Sequence, residues 1–438
     1  MKRLVSLHIL ILSLSATAFG IGFPDFMYDF RDSAGIEEPA NTGLTSFPTL
    51  LVPLGGEMEG MASAYTAVSR DYSFFEANPA ASSRLESTEF AVAHNNLIAD
   101  ANMEGLVYTT RFEHLGLGTG MKFLHVPFTE YDRYGIQENT IRYTETIAGL
   151  NVSYNFLHSF KFRGIALGAN LKTAYRRVPE VIAPGQSAIG IMGDVGLLTR
   201  FDLAKFYRSR RKNFSIGLTA QNIGPPALDD PLPSRATGGI AYSPVAPLTL
   251  AFDYSYPFVL GTDTPAEAPA YAAGALVRVT DFLSAQTGFQ LRGGNPRFAL
   301  GSNIAFPAVT LQLNYTVDLT TQIGRLDRFS VQASFDLGDR GRSARRDRVE
   351  DYYLDAVRAY ADGEIERTVE LCRRALDIDP TFQPAQETLE NARKMLTLQR
   401  QMESIRLGEE EDFLGQEGIG AESEESSDGE SGTESENQ

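Results

Sequence analysis

Between Thr88 and Gly338 the chain repeats one pattern, about ten residues in which every second side chain is apolar, followed by a polar turn. The last copy is the most regular, and its apolar positions are Phe329, Val331, Ala333, Phe335 and Leu337. A period of two is typical of a β-strand, because successive side chains leave opposite faces of the strand. One face of each strand therefore contacts an apolar phase and the other contacts water.

The pattern predicts fourteen strands, and an even number is expected for a single-chain bacterial β-barrel. Their predicted ranges are 88–98, 103–113, 115–125, 141–157, 163–176, 187–201, 213–223, 235–243, 247–258, 270–280, 283–292, 297–306, 308–318 and 328–338. A soluble β-sandwich also alternates, but it has about 7–9 strands. The large aromatic residues of the apolar phase, the short turns and the number of strands favour an all-β transmembrane barrel over residues 88–338.

The N-terminus is typical of a secretory signal peptide over residues 1–20. Lys2 and Arg3 precede the apolar stretch Leu4–Leu14, and Ala16–Ala18 forms a small-x-small cleavage site. That stretch is shorter than the about 20 apolar residues of a membrane-spanning helix. Export combined with a barrel pattern places the protein in the bacterial outer membrane, in contact with its lipid.

The net charge and the available catalytic side chains restrict the classes of function that the chain can have. The formal net charge is −17, of which Glu409–Gln438 contributes −12. Residues 408–438 are therefore predicted to form a disordered acidic tail, and nucleic-acid binding gains no support. The single cysteine, Cys372, excludes an intramolecular disulfide. The histidines beyond the signal peptide lie in no recognisable nucleophile motif, so we expect no enzyme, no cofactor and no metal site.

Beyond the barrel, residues 347–407 change to a helical period. Helices are predicted over 352–361, 365–378 and 384–406, with a turn at Asp362-Gly363. The spacing of Tyr353, Tyr360, Gly363, Ala375 and Pro380 resembles a single tetratricopeptide repeat, and a plain helical hairpin is the alternative. One repeat cannot bury its own apolar face. The extension is therefore expected to lean on the barrel rim or on a periplasmic protein.

Residues 21–87, which precede the first strand, carry a second signal. Gly56–Val68 is rich in Gly and Ala and predicts a helix, and Asn78-Pro79-Ala80 follows it just before the first strand. Asn-Pro alone is common at turns, so the specificity of the motif comes from this context. Over about residues 45–338 the arrangement resembles the FadL family, the long-chain fatty-acid transporters of the outer membrane.

This resemblance implies a 14-strand barrel whose N-terminal segment folds into the lumen as a hatch. It also implies passive uptake of long-chain fatty acids or similar hydrophobic molecules. A related branch, the PorV-type barrels, shares this N-terminal region and serves as a scaffold in protein secretion. A scaffold that docks a periplasmic or secreted partner through the C-terminal helices is therefore the alternative function.

A plug is also expected on physical grounds, because a barrel of this size has a lumen wider than its own side chains can fill. The residues that we assign to the hatch motif are Gly60, Ala64, Asn78, Pro79 and Ala80. Small side chains at Gly60 and Ala64 would let the segment pack closely against the wall. The alternative is that residues 21–87 wrap around the periplasmic rim.

Candidate ligand contacts divide into two kinds. Phe47, Phe74 and Phe75 would line an apolar pocket, and Lys122, Lys172 and Arg278 are cations that could hold a carboxylate. On the third strand, Gly116, Gly118 and Gly120 lie on one face, and glycine inside a strand often marks a kink or a close approach. In the FadL family a kink in this strand opens a lateral exit, which predicts a kink here. The alternative is that the glycines make room for the hatch.

Overall fold

The computed structural model describes residues 43–424 except 99, 160–161, 210, 262–265, 294 and 319–326. The predicted signal peptide, the first part of the predicted hatch and residues 425–438 of the predicted tail lie outside the described residues. The chain divides into two compact units, residues 1–340 and 341–438. The first unit contains the strands and the second contains the long helices.

Fourteen antiparallel strands form a closed barrel in which β1 pairs with β14, which confirms the predicted fold class. The strands are β1 Glu89–Asn96, β2 Asn102–Phe112, β3 Leu115–Tyr131, β4 Gln137–Phe156, β5 Ile165–Arg177, β6 Ala188–Phe201, β7 Phe214–Ile223, β8 Arg235–Val245, β9 Leu248–Pro257, β10 Ala270–Arg278, β11 Leu283–Arg292, β12 Asn295–Ala305, β13 Val309–Asp318 and β14 Arg328–Asp336. Neighbouring strands in sequence are neighbours in space. We call the end at which β1 begins and β14 ends the terminal end.

The third and fourth strands are longer than predicted. β3 continues to Tyr131 rather than 125, and β4 begins at Gln137 rather than 141. The added residues pair with each other, for example Thr129 with Thr140. The sequence pattern missed them because much of this hairpin is exposed on both faces, so its residues do not alternate between apolar and polar.

The barrel is apolar outside and polar inside, the reverse of a soluble protein. On β6, Ile191 and Val195 are more than half exposed, at 55% and 54%, while Asp194 between them is 1% exposed. On β9, Asp253 is buried between the exposed Phe252 and Tyr254. Both aspartates therefore face the polar interior rather than the outer surface. The outer surface fits lipid, and the inner surface needs hydrogen-bonding partners.

Residues 43–87, which we call the luminal segment, contain short helical turns. They are 3₁₀ turns at Pro48–Leu51, Tyr72–Phe75 and Pro79–Arg84, and the helix α1, Gly56–Gly60. The predicted helix through Val68 is wrong, because α1 ends after one turn. Ala62 and Ser63 have φ angles of 49° and 71°, which break the helix. The chain turns there because Met61 packs against the barrel wall at Gly288.

The second unit is helical, with α2 Arg342–Ala361, α3 Ile365–Ile378 and α4 Gln383–Glu424. These helices share a core that includes Val349, Val369, Cys372 and Leu389. α2 begins earlier than the predicted 352, and α4 continues into the segment predicted to be disordered from residue 408. Glutamate has a high helix propensity, which accounts for that extension. None of the described helices is long and apolar enough to span a membrane.

The outward orientation of β6 predicts where a charge is tolerated. Val195 lies at the middle of this strand, and a lysine there would face lipid near the midplane. We expect Val195→Lys to lower the free energy of unfolding in phosphatidylcholine vesicles by about 2–4 kcal/mol. Urea titration followed by tyrosine fluorescence measures this change.

The matched control is Val181→Lys, because Val181 is 70% exposed in the connection between β5 and β6. This change is expected to stay within about 0.5 kcal/mol of the wild type. An equal cost at the two positions would contradict the assignment of a lipid-facing surface.

Candidate functional site: the luminal segment

The luminal segment lies inside the barrel. Pro79–Arg84 packs against β2 to β6, while α1 packs against β11 to β14. Phe47, Tyr65 and Phe74 are fully buried. Because the segment contacts strands on both sides of the lumen, it crosses the lumen rather than wrapping around the rim.

Two acidic side chains attach α1 to the wall. Glu59 accepts hydrogen bonds from Arg328 Nε at 2.8 Å, Ser330 Oγ at 2.6 Å and Thr316 Oγ1 at 3.1 Å. Its carboxylate is buried and has a charged partner on β14. A buried carboxylate is stable only when paired and hydrogen-bonded, so Glu59 fixes α1 to β13 and β14.

Glu57 is the second buried carboxylate of α1. It accepts hydrogen bonds from Arg70 Nε at 2.8 Å, Tyr65 Oη at 2.8 Å and Asn303 Nδ2 of β12 at 2.6 Å. Burial acts to raise the pKa of Glu57. The positive charge of Arg70 and the hydrogen bonds from Arg70, Tyr65 and Asn303 outweigh burial and hold this pKa below its ordinary value. Glu57 is therefore charged, and it links the luminal segment to itself and to the wall.

The Asn78-Pro79-Ala80 motif joins the segment to β6. Asn78 Nδ2 donates to the carbonyl oxygens of Thr66 and Leu197, each at 3.0 Å, and its Oδ1 accepts from the amide of Ala80 at 3.0 Å. One side chain thus caps the Pro79–Arg84 turn and binds both a neighbouring turn and the wall. This explains why asparagine, with a donor and an acceptor, precedes the proline.

Asp253 of β9 holds the same neighbouring turn from the other side. Its Oδ2 accepts hydrogen bonds from the amides of Tyr65 and Thr66, at 3.0 and 2.8 Å. The side chains of Asn78 and Asp253 therefore bind the same stretch of backbone, Tyr65-Thr66, which lies between β6 and β9. The hatch-motif residue Ala64 lies next to it and is fully buried.

The predicted ligand cations Lys122 and Lys172 bind acidic residues of the protein. Lys122 Nζ pairs with Glu76 of the luminal segment and donates to the carbonyl oxygens of Thr49, at 2.9 Å, and Val52. Lys172 Nζ lies 2.6 Å from Asp194 Oδ2 of the adjacent strand. Both lysines are buried, and each is paired with a carboxylate of the protein.

Arg278 is the last residue of β10, at the terminal end. Its electrostatic neighbours are Arg211 in the connection between β6 and β7, Arg70 and Glu57 of the luminal segment, and Asp281. The structure thus places all six predicted ligand contacts in or near the luminal segment, with Arg278 at its terminal-end side.

The three phenylalanines are packing residues here. Phe74 and Phe75 are buried against the glycines of β3, and Phe47 packs against Gly190 of β6. The ammonium of Lys172 lies 5.7 Å from the Phe75 ring centroid, and the guanidinium of Arg176 lies 5.7 Å from that of Phe47. These cation–π contacts add to the attraction between the wall and the luminal segment.

The predicted kink in β3 is wrong. The ladder from Leu115 to Leu124 is unbroken towards both β2 and β4, and the register shifts only at Glu130 and Tyr131. The glycines instead allow a close approach of the luminal segment. A methyl group at Gly116 would overlap the backbone of Ser82, and methyl groups at Gly118 and Gly120 would overlap Phe74 and Phe75.

A small cavity remains within the lumen. It is lined by apolar Leu54, Met58, Tyr72, Phe75 and Val107, together with Gly55, Asp71, Ser73 and Glu76. It offers about 10 Å³ of room for the centres of water molecules, which is space for about one water. A hydrophobic substrate cannot occupy this cavity unless the luminal segment moves.

Sequence reasoning missed the acidic half of the site. Glu57, Glu59 and Glu76 contact the wall or the cation that faces them. The available signal was their position, because carboxylates inside a segment rich in Gly, Ala and Phe are costly to bury without partners. Their partners on the wall lie at least 46 residues away in sequence, so the sequence alone does not show that they meet.

Asn78→Ala tests the motif. The change leaves a buried carbonyl oxygen of Thr66 and the amide of Ala80 without these partners, so we expect a loss of about 2 to 3 kcal/mol in the free energy of unfolding. The exposed Asn139 provides the control, and Asn139→Ala should cost little. Equal losses of unfolding free energy for the two variants would contradict a specific role of Asn78 in holding the luminal segment.

Gly118→Ala tests the close approach on β3. Its methyl group would lie 2.8 Å from Phe74 Cε1 and closer still to Cζ. Overpacking of this kind costs about 1–3 kcal/mol, measured as the free energy of unfolding. The same change in a Phe74→Ala background should cost less, because the obstructing ring is gone.

Gly238→Ala is the matched control, because a methyl group at that strand position meets only Leu218 Cδ2, at 3.5 Å. A cost for Gly118→Ala that does not depend on Phe74 would show that the glycine has another role.

Known proteins resemble this chain in sequence and in architecture. A UPF0164 protein of Treponema pallidum (strain Nichols) is 26% identical over 377 residues, which cover 82% of this chain and 85% of that protein. A second UPF0164 protein of the same strain is 31% identical over 179 residues, covering 39% of this chain and 51% of that protein.

Among solved structures, the CymD monoaromatic hydrocarbon channel has a TM-score of 0.48 and 14% identity over 66% of this chain and 98% of the channel. The Ralstonia pickettii toluene transporter TbuX has a TM-score of 0.46 and 12% identity over 67% of this chain and 98% of the transporter. Residues 30–339, which include all fourteen strands, match the Uncharacterised protein family (UPF0164). The chain belongs to this family.

Proposed function

We propose that the protein is an outer-membrane channel for long-chain fatty acids or similar hydrophobic molecules, with the luminal segment as its hatch. The outer face of the barrel suits lipid, and the lumen is filled by a segment that is not itself part of the wall. Passage of any molecule larger than water through the lumen therefore requires this segment to shift.

One observation carries the proposal. The small luminal cavity is lined largely by apolar side chains, and it adjoins an apolar cluster of the wall that includes Val107 and Met103. Phe75 and Tyr72 of the luminal segment form part of the cavity. A shift of the segment would enlarge an apolar pocket rather than a wet pore. A hydrophobic cargo gains free energy in such a pocket and an ion does not.

The ion pairs of the site set the cost of that shift. Lys122 would separate from Glu76, and the two charges would have to find water or a ligand. A carboxylate cargo could replace Glu76 as the partner of Lys122. In the open state Lys122 would therefore bind the ligand, as the sequence predicts. In the closed state the same charge holds the hatch in place.

A disulfide lock tests the hatch. Ser82 Oγ of the luminal segment and Ser153 Oγ of β4 lie 2.6 Å apart, so Ser82→Cys with Ser153→Cys places two thiols within bonding reach. All variants carry Cys372→Ala, which removes the native thiol. The assay is uptake of labelled oleate and of toluene by a strain that lacks its own channels for them.

We expect the oxidised double variant to lose at least tenfold in uptake and to recover it after reduction. Each single cysteine variant is the control and should respond to neither treatment. Uptake that is unchanged by the lock would reject movement of this turn as the gate. If the wild-type protein takes up neither compound, the channel proposal itself fails.

A scaffold role is the second candidate, and one observation favours it. On α4, Met395, Leu398, Met402 and Ile405 are exposed by 41%, 56%, 71% and 62%. Their spacing places them along one side of the helix, an apolar stripe that a protein partner could cover. Photo-crosslinking from position 402, compared with position 393 on exposed Arg393, would detect such a partner in the periplasm.

A further inference from the structure

The connection between β6 and β7, residues 202–213, combines basic and apolar side chains at the terminal end of the barrel. We call it the basic turn. In sequence it contains five Lys or Arg residues and one acid, Asp202. Phe206 is 86% exposed and Leu203 is 50% exposed. Two exposed apolar side chains among cations have no part in the luminal site.

The basic turn has a defined conformation. Asn213 binds the backbone of Leu203 in both directions, with hydrogen bonds of 2.9 and 2.7 Å. Lys205 and Lys212 both pair with Asp202, at 3.1 and 2.7 Å. Arg208 and Arg211 are exposed. Lys205 and Lys212 are therefore paired within the turn, whereas Arg208 and Arg211 face the surroundings.

The basic turn is continuous with the lipid-facing surface. Below it, the outward-facing rings of Phe201, Phe214 and Tyr242 form a row, with centroid distances of 5.1 and 6.3 Å. Tyr242 donates a hydrogen bond to the carbonyl oxygen of Ala204 in the turn, at 3.0 Å. Aromatic rows at the ends of a barrel lie at the level of lipid headgroups. The turn therefore lies at the headgroup level.

We propose that the basic turn binds anionic phospholipid headgroups in the leaflet at the terminal end. Phe206 and Leu203 enter the acyl boundary, and Arg208 and Arg211 contact the phosphates. A guanidinium fork matches the geometry of a phosphate better than an ammonium does, which suits exposed arginines beside internally paired lysines. Continuity with the aromatic row favours lipid over an acidic protein. The inference rests on the proposed membrane location and not on the cargo.

Lipid affinity in detergent micelles tests the proposal. Native mass spectrometry of the purified full-length protein, titrated with phosphatidylglycerol and with phosphatidylcholine, gives the ratio of the two dissociation constants. We expect phosphatidylglycerol to bind at least tenfold more tightly. Each arginine is expected to account for about a fivefold factor, so R208Q with R211Q should remove most of the preference. Sodium chloride should weaken it as well.

The control is R133Q with R142Q, which removes two exposed arginines of the β3–β4 hairpin at the opposite end. This variant should keep the preference. Phe206→Ser should weaken both lipids while keeping their ratio. An unchanged ratio in R208Q with R211Q, or an equal drop in the control, would overturn the inference.

Flotation with phosphatidylglycerol and phosphatidylcholine vesicles separates the two levels of the argument. If the wild-type protein does not enter vesicles at all, the proposed membrane location fails, and this inference fails with it. If the protein enters both kinds of vesicle and shows no preference in the titration, only the lipid-binding role of the basic turn fails.

Discussion

The inner wall of the barrel is polar, and its buried charges must be paired wherever water is excluded. The luminal segment meets this requirement because its own charges match those of the wall. Glu76 pairs with Lys122 of β3, and Glu59 pairs with Arg328 of β14. Further attachments at Asn78 and Asp253 hold the backbone between these two pairs. The apolar rings of Phe74 and Phe75 then fill the remaining space against the glycines of β3.

The two sides of the lumen hold the segment by different chemistry. On the side of β2 to β6, an apolar cluster that includes Phe47, Phe74, Phe75 and Met103 is combined with ion pairs. On the side of β11 to β14, carboxylates of α1 bind the polar side chains of Asn303, Thr316 and Ser330. Apolar packing needs close shape complementarity, whereas hydrogen bonds need orientation. Ion pairs occur on both sides, and apolar packing is added to them mainly on the side of β2 to β6.

The barrel could be predicted from sequence because its signal is local and repeated. Ile191, Asp194 and Val195 already alternate, and lipid outside with polar groups inside imposes that alternation on every strand. The interior could not be predicted in the same way. Lys122 stands in a polar phase, which is compatible with either a ligand or a partner, and only its proximity to Glu76 distinguishes the two. A glycine at position 118 is compatible with a kink or with a close approach, and only the Phe74 ring against it distinguishes the two.

The same limit explains the helix predicted from Gly56 to Val68. Small residues suit a helix and suit equally well a backbone pressed against a wall, and the left-handed Ala62 and Ser63 show that the second applies. Local propensity is overridden where tertiary contacts reach the backbone itself. The role of Asn78 was found by context in the sequence, but its three hydrogen bonds connect residues as distant as Leu197.

The glycines of the inner wall have a consequence for how this family can diverge. At Gly116, Gly168, Gly217 and Gly288, the atoms that a side chain would meet are backbone atoms of Ser82, Pro79, Thr66 and Met61. A rotamer change in the luminal segment cannot relieve such an overlap, because backbone does not turn aside as a side chain does. A relative with a larger residue at one of these wall positions must route its N-terminal chain along a different path. Substitutions in the wall and in the luminal segment must therefore compensate each other. The shape of the inner face of the barrel is complementary to the backbone of the chain that precedes it.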